Sequence, residues 1–84
     1  MRYSARVEVR LRPGIADPEG ATIERALPAL GFDDVHHVRA GRSFAFEVEA
    51  PDEEAARARA VELADRLLAN PVIEQSVLEL TGPS

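Results

Sequence analysis

Apolar and polar residues alternate along several segments of the chain. Between residues 3 and 11 the apolar positions are Tyr3, Ala5, Val7, Val9 and Leu11, with polar residues between them. A period of two with one polar face is typical of a strand buried on one side, as in antiparallel or mixed sheets. The alternation recurs at residues 43–50 and, less regularly, at 35–42 and 72–80. We therefore predict four strands, with a tight turn at Gly41-Arg42 between the second and the third.

The segment from residue 17 to residue 31 carries the signals of a helix. Asp17 suits the cap and Pro18 the first helical position, and Gly31 is the expected left-handed stop. Pro28 lacks an N–H and clashes with the carbonyl four residues earlier, so we expect a bend or a distorted last turn there. Helical spacing gives one apolar stripe, formed by Ile23, Ala26, Leu27 and Leu30.

A second helix is predicted to follow Pro51. It begins with acids in its first turn, which complement the helix dipole, and it ends at Asn70-Pro71 because proline cannot continue a helix. Its apolar stripe consists of Ala56, Ala60, Leu63, Ala64 and Leu67.

The predicted order of elements is β-α-β-β-α-β. This is the ferredoxin-like, split-βαβ pattern, an α+β two-layer sandwich with a four-stranded antiparallel sheet and both helices on one face. No linker or low-complexity segment interrupts the pattern, so residues 1–84 are predicted to form a single domain. A chain of 84 residues has a thin core, and without cysteines it gains nothing from disulfides or thiolate zinc sites. Self-association is the remaining stabiliser to expect.

Charge and hydropathy limit the possible partners. The net charge of −5 disfavours nucleic acid and anionic membrane surfaces. No stretch approaches the roughly 20 apolar residues of a membrane span, and charged residues stand where a signal peptide would be apolar. We therefore expect a cytoplasmic protein that binds neither nucleic acid nor membranes.

Catalytic signatures are missing from the sequence. The chain has no cysteine, and all ten basic residues are arginine, which excludes a cysteine nucleophile, Schiff-base lysine and phosphate-loop chemistry. His36 and His37 are adjacent, and neighbours on a strand face opposite ways, so we do not expect them to share a metal ion. The sequence has two acidic segments, at residues 33–34 and 52–54, and we interpret both as solvated helix or loop ends. We predict no catalytic, cofactor-binding or metal-binding residue.

A row of arginines lies on the polar side of the first strand, at Arg2, Arg6, Arg10 and Arg12. In the ferredoxin-like arrangement this strand is central, between the third and the fourth. Glu47 and Glu49, and Glu74 or Glu79, are then placed to pair with the row across the sheet. The resulting face is either simply solvated or a protein-docking surface, since arginine is favoured at interfaces.

Three segments carry a resemblance to a known family. They are residues 12–20 with Asp17-Pro18-Glu19-Gly20, residues 38–42, and Leu67-Leu68-Ala69-Asn70-Pro71-Val72-Ile73-Glu74. In this order and spacing they resemble the PurS-type small subunit of formylglycinamide ribonucleotide amidotransferase, over essentially the whole chain. The residues that carry the resemblance, to which we assign structural roles at helix ends, are Asp17, Pro18, Gly20, Asn70 and Pro71.

The resemblance implies a three-part enzyme of purine biosynthesis. A glutaminase subunit releases ammonia, and a large synthetase subunit, the expected site of ATP and magnesium, installs the nitrogen on formylglycinamide ribonucleotide. The small subunit forms a homodimer or tetramer, binds no cofactor, bridges the other two and helps ammonia pass between them. The expected docking residues are Arg10, Arg12, Arg39, Gly41 and Arg42.

Two other functions compete with this interpretation. A ferredoxin-like sensor domain would bind an amino acid or nucleotide without a partner. A small phosphatase-like enzyme would need an arginine-rich glycine loop after the first strand, and Pro13 in Arg12-Pro13-Gly14 removes a backbone donor that such a loop uses to hold phosphate.

Overall fold

The computed structural model describes all 84 residues, and its sheet has three strands. β1 (Arg2–Leu11) is central, and β2 (Gly41–Glu49) and β3 (Glu74–Thr81) flank it in antiparallel orientation. The apolar positions of β1 are buried, except that Leu11 is half-buried. The alternation therefore predicted this strand and its buried side correctly. The central place of β1 between the last two strands is also confirmed.

The prediction of a four-stranded sheet is wrong, because residues 35–40 form no strand. The backbone N–H of Val38 donates to the Glu24 carboxylate at 2.9 Å, and that of Ala40 donates to Asp17 at 2.7 Å. His37 has φ of 60°, in the left-handed region, which interrupts an extended run. Side chains of the preceding helix thus take the place of a partner strand. The turn predicted at Gly41-Arg42 is wrong as well, since these residues begin β2.

One helix covers the sheet. α2 (Glu53–Leu63) packs on its buried face and continues as a π-helical turn (Ala64–Leu68). Small side chains let the helix approach the sheet closely. Leu67, which the apolar stripe placed in the core, is 73% exposed instead. The contact stripe consists of Ala56, Ala60 and Ala64, each no more than 1% exposed.

α1 (Pro18–Ala26) ends as the sequence predicts. The α-helix gives way to a 3-10 turn (Pro28–Leu30), which confirms the distortion expected at Pro28. Gly31 then adopts φ of 89°, and the Phe32 N–H donates back to the Leu27 carbonyl at 3.0 Å. This left-handed ending satisfies carbonyls of the last helical turn.

The prediction that both helices cover one face of the sheet is wrong for α1. Only Gly20 is buried in α1. Of the predicted apolar stripe, Ile23 in α1 is 44% exposed and Leu30 in the following 3-10 turn is 69% exposed. The chain measures 51 × 28 × 14 Å, with a radius of gyration of 16.3 Å. A compact chain of this length would have a radius of about 12 Å. The chain is therefore elongated, and only α2 covers the sheet. None of its helices has the length and apolar character needed to cross a lipid bilayer.

Candidate functional site

Asp17 connects the start of α1 to the segment that leads into β2. Its side chain is 5% exposed; Oδ1 accepts from the Gly20 N–H at 2.9 Å, and Oδ2 accepts from the Ala40 N–H at 2.7 Å. These two bonds lower the pKa of Asp17, and Arg39, 3.9 Å away, lowers it further. The carboxylate is therefore ionised at neutral pH and fixes both segments. We call Asp17, Gly20 and Ala40 the first clamp.

Two glycines allow close backbone approaches beside this clamp. A Cβ on Gly20 would lie 2.5 Å from the Val38 carbonyl oxygen, and one on Gly41 would lie 2.8 Å from the Val9 carbonyl oxygen. Both distances are too short for a real side chain. The glycine of the Asp-Pro-x-Gly segment thus has a packing reason, and so does Gly41, which the resemblance placed among the docking residues.

Glu74 at the start of β3 forms a second clamp. Its side chain is 14% exposed, and Oε1 accepts from the Asn70 N–H at 2.7 Å. Arg42 Nη2 donates to both carboxylate oxygens, at 3.1 and 3.0 Å. The Asn70 bond lowers the pKa of Glu74 against the opposing effect of burial, and Arg42 lowers it further. We call Glu74, Asn70 and Arg42 the second clamp; Glu74 therefore pairs with β2 and not with the arginines of β1.

Arg12 and Arg42 hold the chain that precedes β3. Arg12 Nε and Nη2 donate to the Pro71 carbonyl at 3.1 and 3.0 Å, and the Arg12 N–H donates to the Ile73 carbonyl at 2.8 Å. Arg42 also donates to the Leu68 carbonyl at 3.2 Å. Residues 68–74 are thus held by Arg42 of β2 and by Arg12, which directly follows β1.

The arginines expected to dock a partner lie at the same end of the sheet. Arg10 pairs in register with Gly41, and its guanidinium binds Glu8 at 2.7 Å. Arg39, which directly precedes β2, donates to the Ile15 carbonyl at 3.3 Å. Arg10, Arg39 and Arg42 each keep about half of the side chain exposed. The structure therefore brings these residues together and gives each a contact within the chain.

The face of the sheet opposite α2 carries exposed charges of both signs. Arg2 pairs with Glu49 at 2.7 Å, as expected from their places on adjacent strands. Glu79 lies opposite Arg6 in register, but Arg6 forms no ion pair. The predicted cross-strand pairing is therefore confirmed for Arg2 alone among the arginines of β1.

The residues with catalytic or metal-binding side chains are scattered. His36 and His37 lie in an exposed loop with ring centroids 6.4 Å apart. No group of three or more histidine, cysteine, aspartate or glutamate side chains is placed to hold a metal ion.

Asp52 accepts from the Ala55 N–H at 2.8 Å and so caps α2, as its place at the helix start predicts.

Sequence reasoning missed Glu24, and it assigned Glu74 to the arginines of β1, whereas the structure pairs Glu74 with Arg42 of β2. Glu74 belongs to the Leu-Leu-Ala-Asn-Pro-Val-Ile-Glu segment, so the resemblance pointed to the segment but not to the ion pair. Glu24 holds the Val38 N–H and has its pKa lowered mainly by that bond. A lone glutamate on a helix gives no sequence signal for such a contact.

The chain is similar to known proteins along nearly its whole length. The PurS family model, described as phosphoribosylformylglycinamidine (FGAM) synthase, matches residues 4–82. A phosphoribosylformylglycinamidine synthase subunit PurS of Synechocystis is 42% identical over 80 residues, covering 95% of this chain and 80% of the relative.

Solved structures give the same result. Thermus thermophilus PurS aligns over 100% of both chains with a TM-score of 0.87 and 35% identity. A chain in the structure of PurLQS from Thermotoga maritima aligns over 96% of this chain and 99% of its own length, with a TM-score of 0.89 and 32% identity. The chain therefore belongs to the PurS family of phosphoribosylformylglycinamidine synthase subunits.

Proposed function

We propose that the chain is the non-catalytic small subunit that joins the glutaminase and the ATP-dependent synthetase of phosphoribosylformylglycinamidine synthase in the cytoplasm. The observation that carries this proposal is the incomplete burial of the chain: 10 of 84 residues are buried, and α1 leaves apolar side chains uncovered. A chain with so little core gains stability from partners. Its similarity to a chain of the Thermotoga maritima PurLQS structure supports partners of this kind.

The first partner in this proposal is a second copy. The accessible surface of 6046 Å² exceeds the roughly 4,900 Å² expected for a monomer of 9.2 kDa. Between β2 and α2 an open groove of about 440 Å³ includes Phe46 and Leu63 in its lining. In a twofold dimer, α1 of each copy covers the groove of the other, so that both apolar surfaces are buried. The proposed state is a homodimer, or a tetramer of two dimers.

The larger subunits dock at the end of the sheet that carries the two clamps. The docking residues are Arg10, Arg12, Arg39 and Arg42. Their guanidinium groups are partly exposed and are held in place by the contacts described above. Arginine in such a setting offers planar, bidentate recognition of carboxylates. ATP and magnesium bind on the synthetase, and this chain assists ammonia transfer by holding the glutaminase and synthetase in a fixed relation.

Reconstitution tests the proposal. The synthetase and glutaminase subunits are assayed for glutamine-dependent product with and without this chain, and with ammonia as the alternative nitrogen source. We expect glutamine-dependent activity to require the chain and ammonia-dependent activity of the synthetase to be far less sensitive to it. Equal glutamine-dependent activity in its absence would contradict the bridging function.

A further inference from the structure

The outer edge of β2 carries backbone groups that no strand of the chain satisfies. Met1 and Ala50 exchange both of their backbone hydrogen bonds, each at 2.9 Å, in the register that joins β1 to β2. Because such pairs alternate along an antiparallel ladder, the backbone groups of Ser43, Ala45 and Glu47 point away from β1. β2 is at the edge of the sheet, so no strand pairs with that side. An open edge of this kind pairs readily with another strand.

The outer edge of β3 is less open. The Arg12 N–H donates to the Ile73 carbonyl, so by the same alternation Glu74 directs its backbone N–H away from β1. That N–H already donates to the Asn70 carbonyl at 2.7 Å, so the turn before β3 folds against the beginning of its edge. The groove of about 440 Å³, which Phe46 helps to line, lies beside β2. β2 therefore offers the longer free edge and open space next to it.

The charges of β2 are complementary to those of a second copy in antiparallel orientation. Arg42 lies near the start of the strand, and Glu47 and Glu49 lie near its end. Parallel pairing of two copies in register would place like charges side by side, whereas antiparallel pairing brings each acidic end to the basic end of the other copy. Glu47 forms no ion pair within the chain, so its carboxylate is free for such a contact.

One antiparallel register uses the whole strand. When Ala45 faces the same residue of the second copy, all nine residues of β2 are paired and no glutamate lies opposite a glutamate. On the face that carries α2, Phe44 then lies opposite Phe46 in a non-hydrogen-bonded pair, the closer of the two kinds of pair. Both side chains are half-buried in the single chain, and aromatic cross-strand pairs stabilise a sheet.

The same arrangement brings α1 to the groove. The first clamp ties α1 to Ala40, directly before β2, whereas the groove is lined by residues 46–49 at the end of β2. Antiparallel pairing places the start of one β2 beside the end of the other, so α1 of each copy comes near the groove of the other. The accessible surface exceeds that of a typical monomer by roughly 1,100 Å². This excess is on the scale of the ~800 Å² that each partner buries in a standard interface.

We propose that two copies of the chain pair through the outer edges of β2, antiparallel and centred on Ala45, so that their sheets join into one continuous sheet. This inference rests on the homodimer of the proposed function and names the strand that forms it. Backbone hydrogen bonds join the two copies, and the Phe44–Phe46 pairs together with α1 cover the apolar side of the junction.

Opposite charges at residue 45 test the proposal in the full chain. Ala45 is exposed on the face opposite α2, so Ala45→Lys and Ala45→Glu should keep the fold, which circular dichroism checks. Each variant alone places like charges opposite each other in the dimer. We expect its dimer dissociation constant, measured by sedimentation equilibrium, to rise at least about tenfold. An equimolar mixture of the two variants places opposite charges face to face and should restore the dimer.

The matched controls are Val77→Lys and Val77→Glu. Val77 is exposed on the same face of the sheet but belongs to β3, so both variants should dimerise like the unmodified chain.

Three results would overturn the inference. Ala45 variants that dimerise as tightly as the unmodified chain, or a mixture that dimerises no better than either variant alone, would refute pairing centred on Ala45 and leave the proposed function standing. Dimers weakened equally by the Val77 and Ala45 changes would contradict the assignment to β2. A monomeric unmodified chain at micromolar concentration would refute the homodimer of the proposed function, and the inference with it.

Discussion

Individual residues at the clamped end of the sheet explain why the family segments have their composition. Asp17 must accept two backbone N–H groups, and Gly20 must lack a side chain because the Val38 carbonyl lies against it. Asn70 uses its backbone and its side chain to shape the chain before β3. Each of these three residues therefore makes a specific contact, and the helix-end roles assigned to the family segments from the sequence stay a prediction.

Gly20→Ala tests the close approach at this end. Its Cβ would meet the Val38 carbonyl at 2.5 Å, so the segment before β2 must move. We expect the free energy of unfolding to fall by about 1–3 kcal/mol, as for overpacking elsewhere. Denaturant unfolding at fixed protein concentration measures this loss. Ala21→Ser, at the exposed next position, should change stability by about 0.5 kcal/mol or less, and an equal loss in both variants would contradict the account.

Acid should release the two clamps. The pKa values of Asp17 and Glu74 are lowered in the folded chain, chiefly by backbone N–H groups. Their stabilisation is complete above the unfolded pKa of about 4 and is lost as pH falls through the lower folded values. We expect Asp17→Asn to reduce the loss of stability between about pH 6 and pH 3, measured by urea unfolding. Ala21→Ser, which removes no ionisable group, is the control and should leave the slope unchanged. An unchanged slope for Asp17→Asn would refute the clamp.

At the scale of elements, the sequence patterns predicted correctly the features that depend only on neighbouring residues. The alternation in β1 and the cap signals of both helices depend on neighbouring residues, and the structure follows them. Residues 35–40 have a weaker alternation, and the carboxylates of Asp17 and Glu24 compete for their N–H groups. The apolar stripe of α1 showed which side is apolar but not what covers it. Contacts distant in sequence decided the first case.

The alanine stripe of α2 sets the distance between helix and sheet. Ala60 is fully buried, whereas Ala58 is exposed on the same helix. We expect Ala60→Leu to lower the free energy of unfolding by about 1–3 kcal/mol or more, because three extra heavy atoms have no space. Ala58→Leu is the control and should be nearly neutral. If the two variants lose the same stability in thermal and denaturant unfolding, the alanine stripe does not determine how α2 packs on the sheet.

At the scale of the whole molecule, the elongated shape and the thin core point to partners. The apolar side chains of α1 and of the 3-10 turn after it form the surface that the proposed function assigns to a second copy. We expect Ile23→Ser with Leu30→Ser to shift the chain toward monomer in sedimentation at micromolar concentration, since both side chains are exposed in the single chain. Val72→Ser should leave the monomer–dimer equilibrium unchanged. A dimer that survives the α1 changes would require another interface.

The bridging function is tested most directly by co-elution of the three subunits. The glutaminase and the synthetase are passed together over a size-exclusion column, first alone and then with this chain. The account predicts separate elution in the first run and a single complex containing all three in the second. Association of the two larger subunits without this chain, or their continued separation in its presence, would contradict it.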